Sequence, residues 1–454
     1  MNLPHYFLAD LPPEATLTGT TIRDACQTLR RNREQYLAGR PTDKMIQVLS
    51  EVAAGWLQPE YSFRRLALEH GPVATGFSPA TLARGLDSFF RQLTRENFHA
   101  LLLQEFGQAH RLDEMSVTDA EQRTGLAAMV HGPELLVHIA AGNIPNPALL
   151  SIVLGLLARS AQFLKCASGA SLLPRLFAHS LYEADPKLAS CLEIATWRGG
   201  NTELEGALFQ EADAVTATGS DETLAEIHRH LPGKVRFLGY GHRVSFGYVA
   251  HEMLSGFSAK QIVTRATDDV VAWDQHGCLS PHVIYVERGG SLSPDGFAER
   301  LAEELAGRET SEPRRMLSAH ESAVITGKRD FYRIRAAASL DTRLWQSEGS
   351  TAWTVVYEGD PRFQLSCLNR FVYVKGVSDL TQTLQNADSV WGKVSTVGLA
   401  APEGRARPLA TQLARWGVTR VCPLGRMQHP PLTWRHDGRP ALGDLVRWTN
   451  WELL

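Results

Sequence analysis

The residues best suited to covalent chemistry lie in Trp273-Asp274-Gln275-His276-Gly277-Cys278-Leu279-Ser280-Pro281-His282, which runs straight into Val283-Ile284-Tyr285-Val286-Glu287. A thiol in a short turn, preceded by glycine and backed by an apolar run, can hold its trajectory while a carbonyl approaches from the open side, which is what a nucleophile requires. The same placement also suits a cysteine that merely fills space as a small apolar residue. His276, two residues before the thiol, is a candidate auxiliary group and equally a structural histidine. His276, Cys278 and His282 match no common zinc spacing, and no second ligand cluster accompanies them, so no metal site is expected.

The elements that must position this turn can be traced in the pattern. Ser258-Ala259-Lys260-Gln261 has the form of a capping box, and Ile262, Ala266 and Val270 share one helical face, which predicts a helix reaching to near Gly277. The run after Cys278 predicts a strand. From Glu134 onward, short apolar runs alternate with helical patterns. Strands are expected at 135–140, 161–165, 192–196, 214–218 and 235–238, and helices at 147–158, 171–182 and 221–230. Strands joined by helices call for a parallel, doubly wound sheet, an architecture that takes nucleotides at the carboxyl ends of its strands. Thr218-Gly219-Ser220 leaves one such strand and opens a helix, where free amides can face a phosphate, although Ser220 is also an ordinary N-cap and Asp221 follows it. Gly239-Tyr240-Gly241-His242-Arg243-Val244 begins like a dinucleotide fingerprint but has Val244 where the third glycine belongs.

Before Glu134 the chain is mostly helical from Thr21 to about Gln122; after Cys278 helices and strands recur with fresh hydrophobic content. The simplest division is a helical region at 1–130, a dinucleotide-binding domain at 131–247, a second α/β domain carrying Cys278 at 248–425, and a tail at 426–454 whose Trp448 and Trp451 offer an interface or plain core. The segments 288–296 and 402–408 are expected as surface turns.

Composition narrows the class. The 454 residues are 44% hydrophobic and carry 46 basic against 49 acidic side chains, with no dense Lys/Arg run to support a nucleic-acid partner. The segment Met1–Tyr6 lacks the basic and apolar blocks of a secretory signal, and the most apolar run, 148–158, is far short of the roughly 20 residues of a spanning helix. Six cysteines stand far apart with no C-x-x-C pair, as expected for reduced thiols. A soluble, cytoplasmic protein is expected.

Ala141-Gly142-Asn143-Ile144-Pro145-Asn146-Pro147, Thr218-Gly219-Ser220, Gly241-His242-Arg243, Gly277-Cys278-Leu279-Ser280-Pro281 and the tail motifs Gly425-Arg426-Met427, Trp434, Asp437-Gly438 and Leu445-Val446-Arg447 occur in that order. In order and spacing this set resembles the LuxC-type acyl-CoA reductases of bacterial bioluminescence, a branch of the aldehyde dehydrogenase superfamily. The resemblance runs from about Glu134 to the C-terminus. It implies an aldehyde-dehydrogenase-like α/β fold with a Rossmann-type cofactor domain, a second α/β catalytic domain and a helical N-terminal region.

The resemblance also implies roles. Cys278 would attack an acyl thioester, and the Asn143 side-chain amide with the Cys278 backbone N–H would form an oxyanion hole, each such donor contributing about 3 kcal/mol in the transition state. Lys165 falls where the superfamily contacts the adenosine ribose, and Ser168 replaces the acidic residue that would repel a 2′-phosphate, which favours NADPH over NADH. Thr218, Gly219 and Ser220 would complete the cofactor site, with His242 and His276 as auxiliary candidates for activating the thiol. Phe237-Leu238-Gly239-Tyr240-Gly241-His242 stands where hydrolytic relatives carry a glutamate that activates water; without that carboxylate the acyl-enzyme survives to accept a hydride. The second superfamily glutamate, near the nicotinamide ribose, is likewise missing from Gln364-Leu365-Ser366-Cys367-Leu368-Asn369-Arg370. The implied donor is acyl-CoA or an acyl group on a carrier protein or partner synthetase, and the implied assembly a homo-oligomer. Two other functions compete: a Cys-His hydrolase or acyltransferase using His242 or His282, and a non-catalytic acyl-carrying subunit.

Overall fold

The computed structural model describes residues 3–12 and 14–452. Met1 and Asn2 of the N-terminal segment, Pro13, and Leu453 and Leu454 of the tail lie outside the described residues. Five helices (Gly19–Tyr36, Thr42–Trp56, Ser62–Thr75, Pro79–Phe90 and Arg95–Phe106) fill most of the expected helical region. Strand β1 (Leu126–His131) follows, paired antiparallel with a strand at Arg447–Glu452.

The first large sheet holds β2 (Leu135–Ile139), β3 (Ala161–Cys166), β4 (Leu192–Thr196), β5 (Ala214–Thr218) and β6 (Arg236–Tyr240), in the order β4-β3-β2-β5-β6 and parallel throughout. Chain order reverses between β2 and β5, which opens a crevice beyond their carboxyl ends. Alternation along β2 sends Leu135 and Val137 toward Ile22, Cys26 and Leu29 of the first helix, and Leu136 toward the helix Asn146–Leu157 and the other N-terminal helices. The N-terminal helices thus cover both faces of this sheet.

The second sheet adds β7 (Val244–Val249), β8 (Pro281–Glu287), β9 (Thr342–Gln346), β10 (Thr354–Glu358), β11 (Phe371–Val377), β12 (Val394–Ala400) and β13 (Arg420–Pro423), in the order β13-β12-β7-β8-β11-β10-β9. All neighbours are parallel except β9 with β10. Its two faces carry separate cores, and β7, β8 and β11 are buried at every position. The strand at Arg447–Glu452, β14, closes the series.

Three local expectations change. The sheets exchange between Tyr240 and Val244, because Val244-Ser245-Phe246 is the buried start of a strand in the second sheet; the division expected at 247 falls inside it. The segment expected as a turn at 402–408 opens the helix Glu403–Trp416, where Pro408 is accommodated inside the helix. The helix before Cys278 runs over Gly256–Val271, with Ser255 rather than Ser258 at its N-cap position, and it stops well short of Gly277 because Trp273, Asp274 and Gln275 all take left-handed backbone conformations.

Candidate active site

The stop is built from side chains. Left-handed backbone costs a non-glycine residue roughly 1–2 kcal/mol, so three in succession (φ 52°, 46° and 66°) must be held from outside. Asp274 provides the anchor: Oδ1 accepts from Arg370 Nε at 2.7 Å, Oδ2 from the Arg315 amide at 2.9 Å, and its carbonyl from the Asn369 amide at 2.9 Å. Leu368, Asn369 and Arg370 form a second left-handed run (φ 59°, 57° and 64°), so two strained turns brace each other across the base of the cysteine loop. Gln275 Nε2 donates to the Pro281 carbonyl at 2.8 Å and closes the loop on itself. The Trp273 indole lies against Gly85 of the helix Pro79–Phe90, where any side chain would collide with the ring.

From this base the loop presents Cys278. Ser245 Oγ donates to the Cys278 carbonyl at 2.8 Å, and Gln428 Nε2 to Ser280 Oγ at 2.6 Å. A Cβ on Gly277 would stand 2.5 Å from Gln428 Nε2, so a larger residue there would displace the Gln428 amide from its bond to Ser280. Cys278 is half-buried, and burial pushes its thiol up to about 12; the nearby Asp437 carboxylate pushes the same way, against its own backbone amide and the charges of Arg243 and Arg420. Asn143, on the exposed loop after β2, donates from Nδ2 to the His276 carbonyl at 2.8 Å, two residues from the thiol. The structure therefore brings Asn143 to the cysteine loop with one amide hydrogen engaged and a second left to give.

The two histidines expected as auxiliaries are placed differently. His276 Nε2 lies 2.8 Å from Asn369 Oδ1 and 2.9 Å from Arg315 Nη1, and burial lowers its pKa. A single ring nitrogen satisfies one of these partners at a time, and both turn the imidazole toward the bracing turn. His242 is exposed on the loop between β6 and β7, its amide donating to Asp221 Oδ1 at 3.0 Å. His282 pairs with Ser366 at 3.2 Å and does not join His276 and Cys278 in a ligand group. Among the described residues, His251, Glu252 and Glu287 do cluster, but Arg405 occupies their carboxylates at 2.7–2.9 Å.

Lys165 lies one residue before the end of β3, largely buried, its Nζ 5.9 Å from the centre of the Trp197 ring. Burial lowers its pKa against the opposing charge of Glu205, and none of the described residues accepts a hydrogen bond from the ammonium. Ser168 is exposed just beyond it. Thr218 ends β5; Gly219 N donates to the Tyr240 carbonyl at 3.2 Å, and Ser220 Oγ caps the helix Asp221–His230 by accepting from Thr223 N. A groove of about 420 Å³ runs along Ala140–Pro145, Gly169, Ala170 and Leu172–Pro174, at the carboxyl ends of β2 and β3.

On the opposite side of the Asn143 loop a cavity of about 1330 Å³, counting its open mouth, reaches Cys278. Its walls are largely apolar: Phe89 and Leu93, Leu150 and Leu154 of the helix Asn146–Leu157, and Pro430, Leu432 and Leu445 of the tail. His138, Thr216, Thr218 and Tyr240 form its sheet side, since paired positions of β2, β5 and β6 point the same way. His138 is wholly buried between Thr216 Oγ1 at 2.6 Å and Gln162 Oε1 at 2.8 Å, and burial lowers its pKa to about 4. Two lining residues went unassigned in sequence: Gln428, which follows the Gly425-Arg426-Met427 motif, and His436, which precedes Asp437-Gly438. Those tail motifs were visible, but nothing local signalled that they fold back over the thiol.

A model of the acyl-CoA reductase (LuxC) family matches residues 37–448. The chain belongs to that family. It is similar to the long-chain acyl-protein thioester reductases of Vibrio harveyi, 22% identical over 92% of this chain and 84% of the relative, and of Photorhabdus luminescens, 25% identical over 90% and 82%. Among solved structures it resembles the aldehyde dehydrogenase KauB from Pseudomonas aeruginosa (TM-score 0.72, 13% identity, 98% of this chain and 91% of that one). A benzaldehyde dehydrogenase from Corynebacterium glutamicum superposes with TM-score 0.69 at 14% identity, covering 98% and 92%. The LuxC-family chain thus has the aldehyde dehydrogenase fold expected from its motifs, and it is an enzyme of the aldehyde-forming acyl reductase type. No helix among the described residues is long and apolar enough to cross a membrane.

Proposed function

We propose that this LuxC-family protein reduces a long-chain acyl thioester to the aldehyde through an acyl group carried on Cys278. The observation that carries this reading is the apolar cavity that ends on the thiol, which offers an aliphatic chain a dry wall while its carbonyl meets the sulfur. Cys278 attacks the carbonyl, Asn143 Nδ2 and the Cys278 amide stabilise the oxyanion, and the donor thiol leaves. A reduced nicotinamide held by Lys165, Ser168, Thr218, Gly219 and Ser220 would supply the hydride. After reduction the same two donors hold the second oxyanion until the carbon–sulfur bond breaks and aldehyde departs.

The residues fit such a cofactor. Lys165, a largely buried residue whose ammonium has no acceptor among the described residues, lies beside the exposed Ser168, and Thr218, Gly219 and Ser220 border the second strand end. Lys165 with Ser168 favours the 2′-phosphate of NADPH, while Glu205 restrains that preference. The relatives named as acyl-protein thioester reductases favour a protein-borne acyl donor, a carrier or an acylated synthetase, alongside acyl-CoA. Trp448 and Trp451, exposed on β14, favour the tail as a contact between copies of the chain. The free thiols fit the reducing cytoplasm.

The deciding experiment supplies purified protein with a long-chain acyl-CoA and NADPH. Aldehyde should form one-for-one with NADPH oxidation, and an acyl adduct should collect on Cys278 when NADPH is withheld. Acid released without nicotinamide would favour a hydrolase instead, and an adduct that NADPH never discharges would favour an acyl-carrying subunit.

A further inference from the structure

Burial holds Cys278 as a neutral thiol, and the neighbouring Asp437 carboxylate disfavours its thiolate further. Attack on a thioester therefore needs a group that takes the proton as the sulfur–carbon bond forms, and the departing thiolate needs one that returns it. The structure narrows the choice. His276 is turned into the bracing turn, His242 is exposed, and His138 has both ring nitrogens occupied.

His436 differs from all three. It lines the same cavity as Cys278, and neither of its ring nitrogens has a hydrogen-bond partner among the described residues. Its ring plane is fixed by stacking on Tyr240 (centroids 4.6 Å apart, 13° between planes) and by Trp434 at 4.6 Å on a tilt of 35°. An aromatic clamp of this kind fixes the face of an imidazole and leaves its polar edge free. Asp437, next in the chain, places Oδ1 4.0 Å from His436 Nε2 and is itself tied to Arg243 at 3.2 Å and to Ser395 Oγ at 3.4 Å. An imidazolium formed at His436 would thus meet a carboxylate already fixed in place by Arg243 and Ser395.

We propose that His436 is the catalytic acid–base residue of acyl transfer. This rests on Cys278 being the nucleophile. In the forward step the Cys278 sulfur bonds to the acyl carbon while its proton passes to His436. The tetrahedral carbon then breaks its bond to the donor sulfur, and His436 returns the proton to that thiolate, so one proton moves and no redox change occurs until hydride arrives. The charged and titratable groups facing His436 are Asp437, Arg243, Arg439 and the Tyr240 phenol. Burial outweighs Asp437 and lowers the imidazole pKa below its ordinary 6.5, which keeps the ring neutral and basic at pH 7.

The test measures acylation of Cys278 by a long-chain acyl-CoA without nicotinamide, by rapid quench and intact mass, from acidic to alkaline pH. Wild-type acylation should rise through one inflection below pH 6.5 and then level off. His436→Gln and His436→Asn should each acylate about 100-fold more slowly at pH 7, lose that inflection, and speed up only toward the ionisation of the thiol itself. Variants that acylate at the wild-type rate, or keep the inflection, overturn the assignment. Should neither variant fold, a wild-type profile without the inflection overturns it alone. A wild-type protein that takes up no acyl group on Cys278, or a Cys278→Ala protein that still takes one up in the cavity, overturns the nucleophile assignment and this inference with it.

Discussion

Asp274 and Arg370, 96 positions apart, meet at 2.7 Å in a buried ion pair while each sits in a left-handed turn. The pair ties the approach to Cys278 to the start of β11 and, with the Arg315 and Asn369 amides on Asp274, holds both turns. Arg370→Met leaves Asp274 buried without its cation, a loss of roughly 3–5 kcal/mol. Guanidinium unfolding should show it, and the surviving folded enzyme should lose acylation, because the loop is no longer braced.

Gly277 predicts a compensating pair. Gly277→Ala drives a methyl into the Gln428 amide and should cut turnover by at least tenfold. Gln428→Ala removes the obstacle at the cost of the bond to Ser280, so the double variant should be more active than Gly277→Ala alone. Steady-state aldehyde formation by the three variants checks the sign of the coupling.

The cofactor residues predict a selectivity shift. Lys165→Ala should raise the KM for NADPH about tenfold or more, the size of one charge-assisted contact, with less effect on NADH. Glu205→Gln should act oppositely by lowering the KM for NADPH. KM values for both nucleotides in both variants decide the matter.

Cavity shape predicts chain-length preference. Leu150→Trp places bulk in the apolar wall and should depress kcat/KM for long-chain thioesters by tenfold or more while sparing short ones. A panel of acyl-CoA lengths reads this directly.

Glu193 predicts a pH dependence of stability. Its carboxyl accepts from the Leu8 amide at 2.7 Å and the Ile194 amide at 2.9 Å, but burial pushes its pKa up to about 7 from the ordinary 4.5. A raised pKa means the folded state holds the proton more tightly, so this contribution is full below pH 4.5 and is lost as pH rises through 7. Thermal melting should show Glu193→Gln, which keeps an acceptor oxygen, losing less stability between pH 5 and 8 than the wild type.

Much of this molecule is written locally. β2 through β6 and the helices between them follow from short apolar runs and amphipathic spacing, and Asn143 and the cysteine loop were visible as motifs. The helix end before Cys278 was not, because Trp273-Asp274-Gln275 has no glycine or proline to signal a stop; the stop is imposed by Arg370 and Arg315 from distant segments. His436 and Gln428 escaped for the same reason. They reach the cavity only because a tail with no helical or strand period folds across the sheets. Asp437 is the carboxylate that reading the Phe237–His242 segment alone left out of the thiol's surroundings.

Residues 428–445 wall the cavity, and β14 then pairs with β1, more than 300 positions earlier in the chain. On a ribosome that synthesises from the N-terminus, both sheets and the cysteine loop emerge before this wall exists. The greasy channel beside Cys278 is therefore the last part of the site that the emerging chain can close, and its closure goes with the pairing of β14 to β1, a contact of very long sequence separation. Until it is made, the enzyme has its nucleophile but not the pocket that gives the nucleophile its substrate.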